Sequence, residues 1–270
     1  MSRPGPRTVA TAFLTWVTTL ASGCVIGVLD VDDGDSLTRV EVFDHQVFSL
    51  DLERQSLLQV VALNGSVRVQ GVAGAEGVTV NATRRVRART QAQAEDHLYS
   101  LRVLISKSAN AILAETSQPS AGSDITYVVE YDILVPPDLE VDVVQANGEV
   151  RVEDMGADVW VENGNGNVTL DHIVGGVWVA VANGEVTTDV FLPRGKTVDQ
   201  AVGNGGISLQ VQREVSAELS AQVGNGTISI SGLTVHAQIG SPHALSGWLG
   251  GGDGFIGLSV GNGWIQVQGT

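Results

Sequence analysis

The chain has 270 residues, and its 15 Lys and Arg residues stand against 30 Asp and Glu residues, for a formal net charge of −15. Proteins that bind nucleic acid usually carry a basic face, so this balance argues against a nucleic-acid partner. The length is enough for one large domain or two small ones. Glycine is abundant, and helix-forming residues do not recur in long runs of period 3.6, which predicts an all-β fold.

The N-terminal residues have the features of a bacterial export signal. Arg3 and Arg7 precede an apolar run over residues 9–20, and small residues follow up to Cys24. This run is too short to span a bilayer as a helix, so residues 1–23 are predicted to be a signal peptide. The sequence Ala-Ser-Gly-Cys resembles the lipobox of bacterial lipoproteins, which implies that Cys24 is diacylated and becomes the new N-terminus. The alternative is an ordinary signal peptide with a chance cysteine.

The next two segments differ in pattern. Residues 24–39 are rich in aspartate and are predicted to be a solvated acidic tether. Residues 40–135 alternate less regularly and are predicted to be an irregular β region with a short helix over 92–101. The pair Pro136-Pro137 interrupts the pattern, and residues 136–270 are predicted to form regular β-strand repeats.

One short phrase recurs in this last segment: an apolar alternating run, Asn-Gly, any residue, and Val or Ile. Asn and Gly accept positive φ at small steric cost, so each Asn-Gly predicts a tight corner between strands that bury one face. The asparagines step by 18, 18, 21, 21 and 37 residues, the last step being nearly two periods with one degenerate copy between. The copies lie at Asn147-Gly148, Asn165-Gly166, Asn183-Gly184, Asn204-Gly205, Asn225-Gly226 and Asn262-Gly263.

Two all-β architectures fit these repeats. A β-solenoid, or β-helix, would stack one coil of about 20 residues per repeat in parallel. An antiparallel β-sandwich or meander is the alternative, since Asn-Gly between alternating runs is a strong hairpin signal. The solenoid is favoured, because only one end of each period carries Asn-Gly whereas a meander needs good turns at both ends.

Trp160 and Trp178 are the candidate binding residues. Each lies in a Val-Trp-Val phrase, and they are 18 residues apart, which is one period. The flanking valines are predicted to point inward, so both indoles would point outward and, in a parallel stack, lie about 4.8 Å apart. Such a patch suits a sugar ring or a protein partner. The alternative is that the N-terminal region covers both rings.

Sequence motifs give no support for catalysis, a cofactor or a metal site. The match to a Gly-x-Ser-x-Gly elbow at Ser259 falls at a repeat position within a strand, where no strand-to-helix turn is expected. None of the histidines shows His-x-His or His-x₃-His spacing. They are His45, His97, His172, His236 and His243.

The run from Tyr127 to Pro136, the segment 141–150 and the later Asn-Gly copies resemble a bacterial family of adhesin-like β-strand-repeat lipoproteins, classed as a domain of unknown function. The resemblance covers roughly residues 40–270. It implies a right-handed β-helix-like domain at the cell envelope, and the family supplies no catalytic residues. Because Val25 and Ile26 do not provide an inner-membrane retention aspartate, it also implies the outer membrane as the destination.

Two functions are therefore expected as alternatives. The first is a non-enzymatic, lipid-anchored envelope protein that binds a polysaccharide or an envelope protein. The second is a β-helix enzyme that acts on polysaccharide, for which carboxylates would have to cluster on one outer face. The outward positions after the corners include Glu149, Asn167 and Glu185. Carboxylates become fewer at these positions along the chain and do not cluster, which favours the first function.

Overall fold

The computed structural model describes residues 15–16, 27–31, 39–120 and 124–270. Cys24, the predicted lipidation site, lies outside the described residues, as does most of the predicted signal peptide. Five residues of the predicted acidic tether form a strand, Gly27–Val31, which pairs antiparallel with Arg39–Phe43.

The described part of the first half contains nine strands and one helix. The strands are β1 Thr15–Trp16, β2 Gly27–Val31, β3 Arg39–Asp51, β4 Leu57–Asn64, β5 Val67–Gly71, β6 Gly77–Ala88, β7 Arg102–Lys107, β8 Ala111–Ser117 and β9 Thr126–Val135. Helix α1, Gln91–Ser100, lies between β6 and β7 and confirms the predicted short helix. Thr90 caps it by accepting a hydrogen bond from the Gln93 amide, and it buries Ala94 and Leu98.

The second half is built of strands throughout. They are β10 Glu140–Asn147, β11 Val150–Glu153, β12 Val159–Asn165, β13 Val168–Val174, β14 Val177–Phe191, β15 Thr197–Val211, β16 Ala217–Ser231, β17 Val235–Ser241, β18 Ala244–Leu249 and β19 Gly254–Gly269. The last long strands, β14, β15, β16 and β19, run through an Asn-Gly corner without interruption. The fold is all-β, as predicted, and α1 is too short to cross a membrane; the described residues contain no helix that could.

Successive repeats pair in parallel and in register. β10 pairs with β12 so that Asn147 lies beside Asn165, and β12 pairs with β14 so that Asn165 lies beside Asn183. On the other side of the corner, Val168 lies between Val150 and Val186, and all three are fully buried. Parallel pairing of successive repeats is the arrangement that the solenoid prediction expects.

The early copy of the phrase, Asn64-Gly65, belongs to the same stack. β4 pairs in parallel with β10, which places Asn64 beside Asn147, and β5 pairs in parallel with β11. Antiparallel pairing surrounds this end of the stack, where β6 lies between β3 and β9 and β7 lies beside β8. In-register pairing of repeats therefore continues across the predicted boundary at residue 136.

The spatial order of the last repeats differs from their order in the chain. The prediction of a degenerate repeat between Asn225 and Asn262 is also wrong. β19 lies between β15 and β16, so that Asn262 has Asn204 on one side and Asn225 on the other. The interval between Asn225 and Asn262 folds instead into a hairpin of β17 and β18, and β18 pairs antiparallel with β16. The reason is local: Gly250 and Gly252, both at positive φ, form the tight turn that leads from β18 back into β19.

Candidate functional site

The asparagines of the corners form a continuous ladder. Each of them except Asn64, which only accepts, donates a hydrogen bond from Nδ2 to Oδ1 of the asparagine in a neighbouring strand, at 2.8–3.0 Å. In spatial order the ladder contains Asn64, Asn147, Asn165, Asn183, Asn204, Asn262 and Asn225. These side chains are used to bind one another, so the corners stabilise the stack and are poor candidates for a ligand site.

The glycine of each corner is required by the close approach of the backbones. A Cβ on Gly184 would lie 2.1 Å from the carbonyl oxygen of Gly166, and one on Gly205 would lie 1.8 Å from that of Gly184. Both glycines also have φ near +150°, which L side chains rarely adopt. The Asn-Gly phrase thus encodes a stacked corner as well as a turn.

Trp160 and Trp178 lie side by side on the outer face of β12 and β14. Their strands pair in register, and the rings are stacked with centroids 4.8 Å apart and planes 5° apart. Val159, Val161 and Val177 beside them are buried, so the predicted facing and stacking are confirmed. Both indoles are half-buried. Their exposure is thus intermediate between the two alternatives, an open patch and a pair of rings covered by the N-terminal region.

The surroundings of the two indoles are acidic. The strand register places Asp142 beside Trp160 and Asp199 beside Trp178, so a carboxylate flanks the stack at each end. The Trp178 ring leans back over Gly176, where a Cβ would come within 2.6 Å of the indole. Gly176 therefore leaves the space that this ring occupies.

A shallow groove of about 580 Å³ lies on the same outer face, towards the asparagine ladder. Its floor is made of small residues, because alanine or glycine occupies most outward positions there. The outward residues that line it include Val144, Glu162, Gly164, Ala180, Ala182, Ala201 and Gly203. Side chains alternate along a strand, so Glu162 and Trp160 share one face of β12, and the groove and the tryptophan pair form one continuous surface.

The arginines of β6 are neutralised within the protein. Arg84 is buried and paired with buried Asp44, and Arg85 bonds both Glu41 and Glu130. Burial by itself would raise the pKa of Glu41, but hydrogen bonds from Arg87 and Arg85 outweigh it and lower that pKa. These cations serve the N-terminal packing and are not free to bind an anionic ligand.

The outer positions that follow the corners do not converge on a catalytic arrangement in the described residues. Asn167 lies between Glu149 and Glu185 in the stack, and its Oδ1 accepts a hydrogen bond from the Glu185 amide at 3.0 Å. Trp264 comes next to Gly206, ahead of Thr227, because β19 is inserted before β16. The chain order of these three outer positions, Gly206, Thr227 and Trp264, therefore differs from their spatial order.

One cluster of side chains has no counterpart in the histidine spacing. Asp171, His172 and Asp189 bring ligand-type atoms within 4.8 Å of one another on the outer face of β13 and β14. The available signal was the 18-residue step between Asp171 and Asp189, which equals one period. Histidine spacing alone could not reveal a group that is assembled across two strands.

Comparison with known proteins shows similarity of fold. No family model matches the chain, and no curated protein matches its sequence. The crystal structure of a candidate cell adhesion protein from Clostridium sporogenes is similar over 84% of this chain and 99% of its own, with a TM-score of 0.50 and 11% identity. A candidate adhesin from Bacteroides fragilis aligns over 83% of this chain and 96% of its own, with a TM-score of 0.31 and 9% identity. At 11% identity, the similarity to the clostridial protein concerns the fold alone.

Proposed function

We propose that this chain is a lipid-anchored β-solenoid of the bacterial cell envelope that binds polysaccharide through the Trp160–Trp178 surface. The solenoid interpretation rests on the parallel, in-register pairing of repeats from β4 to β19 and on the asparagine ladder along one edge. Lipid attachment rests on the signal-like N-terminus and Cys24. The outer membrane is the expected destination, as the lipoprotein resemblance implies.

The stacked tryptophan pair is the observation that supports binding. Aromatic rings offer apolar faces on which the C–H faces of sugar rings pack, and the outer part of this half-buried pair remains accessible for such a contact. Asp142 and Asp199 at the ends of the stack provide acceptors for sugar hydroxyl groups. The small residues of the groove leave room for a chain to extend along the same face.

The proposed role is non-enzymatic. Glycoside hydrolysis uses two carboxyl groups about 5–9.5 Å apart. Asp142 and Asp199 are separated by three strand spacings at the backbone, which is roughly 14 Å. They are placed to contact opposite ends of a ligand and too far apart to act as an acid and base on one bond.

The test measures retention of the purified protein on immobilised neutral polysaccharides, with release of reducing ends followed in parallel. We expect retention without new reducing ends, and Trp160→Ala and Trp178→Ala should each weaken retention about tenfold. The double variant should add little to either single variant, because both rings form one platform. Retention that is unchanged in both variants would refute this site, and new reducing ends would favour the polysaccharide-acting enzyme.

Trp248→Ala provides the matched control. Trp248 is 50% exposed on β18, away from the stacked pair, so its loss removes an exposed indole without touching the proposed surface. Its retention should equal that of the wild type. The Trp160 and Trp178 variants should melt within a few degrees of the wild type, since both rings are half-buried; a large drop for each would mean that they serve packing.

Lipidation is tested separately. A palmitate analogue fed to cells that produce the full-length chain should label the wild type and leave Cys24→Ala unlabelled. Equal labelling of the two would refute attachment at Cys24 while leaving the binding surface unaffected.

A further inference from the structure

We infer that Asp171, His172 and Asp189 form a binding site for a divalent transition-metal cation of the Zn²⁺ class. The three side chains place their ligand-type atoms within 4.8 Å of one another on the outer face of β13 and β14. Their donor set is two carboxylates and one imidazole. This site is separate from the Trp160–Trp178 surface and does not depend on the proposed function.

A β-bulge assembles the cluster. Leu170 pairs with Thr188 and Ile173 with Val190, so two residues of β13 lie opposite the single residue Asp189 of β14. In a regular strand, Asp171 and His172 would point to opposite faces of the sheet. The bulge re-aims the chain, with His172 at a φ of 54°, and lets both side chains approach Asp189.

The cations near the cluster neutralise the negative charges of Asp171 and Asp189 only in part. Glu153, the neighbour of Asp171 in the stack, takes close ion pairs from Arg68 and Arg151 at 2.8 and 2.7 Å. Asp171 is left with the same Arg151 at 3.8 Å, and Asp189 has no ion pair within the described part of the chain. A bound cation would relieve the repulsion between these carboxylates.

Asp154 lies beside the imidazole. Its Oδ1 lies 3.4 Å from His172 Nδ1, and the same nitrogen lies 3.9 Å from Asp171 Oδ2. Nδ1 is therefore the ring nitrogen that faces the carboxylates, and Asp154 adds a third carboxylate beside the imidazole. Asp154 is half-exposed, so it can also turn towards the cation without a large loss of packing.

The donor types select the class of metal. Imidazole nitrogen with carboxylate oxygen suits Zn²⁺ and its neighbours in the first transition row, whereas Ca²⁺ prefers oxygen alone and in larger number. Three protein ligands leave one position of a tetrahedral Zn²⁺ for water or a ligand. Because His172 is 68% exposed on its side chain, the bound ion would be accessible from solvent.

The experiment is calorimetric titration of the full-length protein with Zn²⁺ and, separately, with Ca²⁺. We expect one Zn²⁺ per chain, and His172→Asn and Asp189→Asn should each weaken Zn²⁺ binding at least tenfold. Asparagine tolerates the positive φ of residue 172 and is isosteric with aspartate at 189, so both variants keep the local backbone. His236→Asn, which removes an exposed histidine from β17, should bind Zn²⁺ like the wild type.

Two results would overturn the site. One is the absence of a stoichiometric Zn²⁺ event in the wild type. The other is a Zn²⁺ affinity that His172→Asn and Asp189→Asn leave unchanged. Stronger binding of Ca²⁺ than of Zn²⁺ by the wild type would overturn the metal class, because it would mean that the imidazole is not a ligand.

Discussion

The Nδ2 atom of Asn262 lies 2.9 Å from Oδ1 of Asn204, although the two residues are 58 positions apart in the sequence. This contact belongs to the last strand, β19, which occupies the place between β15 and β16. The stack therefore closes with a strand that must enter between two others, and the C-terminal residues lie within the stack and not at its end.

Substitutions in β19 and β16 test this order. Ile265 is 1% exposed between Ile207 and Ile228, whereas Ile228 in β16 is only partly buried at the end of the parallel stack. We expect Ile265→Ala to lower the free energy of unfolding by about 2–5 kcal/mol and Ile228→Ala by roughly 1 kcal/mol. Urea unfolding measures both. If the repeats followed chain order, the ranking would be reversed.

The corner glycines give a second prediction, with a control inside the chain. Gly184→Ala would place a Cβ 2.1 Å from the Gly166 carbonyl oxygen, whereas Gly195→Ala would meet nothing within 4 Å. Both positions have positive φ, so both variants carry backbone strain of about 1–3 kcal/mol. Gly184→Ala should cost at least about 2 kcal/mol more, because the strands must separate. Equal melting temperatures for the two variants would contradict the stacked corner.

The parallel register could be predicted because only one end of each period carries Asn-Gly, and the tryptophan stack then follows from the period. Repeats of 18 residues bring Trp160 beside Trp178 in any parallel stack, and alternation then fixes which face each side chain occupies. The insertion of β19 could not be predicted, since every Asn-Gly strand carries the same local pattern and none encodes its neighbour. The cluster at His172 could not be predicted either. A bulge changes the direction in which the side chains of Asp171 and His172 point, and no sequence pattern indicates a bulge there.

The buried pair of Asp44 and Arg84, which joins β3 to β6, likewise has no signal in the sequence, because the two residues are 40 positions apart. Asp44 Oδ1 accepts from Arg84 Nε at 2.8 Å, and Arg84 Nη1 also donates to the Leu101 carbonyl oxygen. Asp44→Ala would leave a buried guanidinium without its carboxylate, so we expect a loss of about 3–5 kcal/mol in unfolding free energy.

Asp124→Ala is the matched control for that pair. Asp124 and Arg89 form an ion pair at 3.0 Å, but both side chains are about half-exposed. Exposed pairs contribute roughly 0–1 kcal/mol, so this variant should unfold almost like the wild type. Similar losses for Asp44→Ala and Asp124→Ala in urea unfolding would mean that burial does not set the strength of the first pair.

Tyr131 gives the last prediction, which concerns alkaline pH. Burial raises the pKa of the Tyr131 phenol to about 12, and its hydroxyl group lies 2.8 Å from that of Thr116. Because the folded state holds this proton more tightly than the unfolded chain, where a tyrosine titrates near 10, the stabilisation is complete below pH 10 and is lost as the pH rises to about 12. Over that window the free energy of unfolding should fall by roughly 2–3 kcal/mol from this group.

Tyr131→Phe should be less stable at neutral pH, since Thr116 loses its partner, but its stability should decline less steeply between pH 10 and 12. Tyr99→Phe, at a position that is 79% exposed, should keep the slope of the wild type. An equal slope in Tyr131→Phe and the wild type would show that another group causes the alkaline loss.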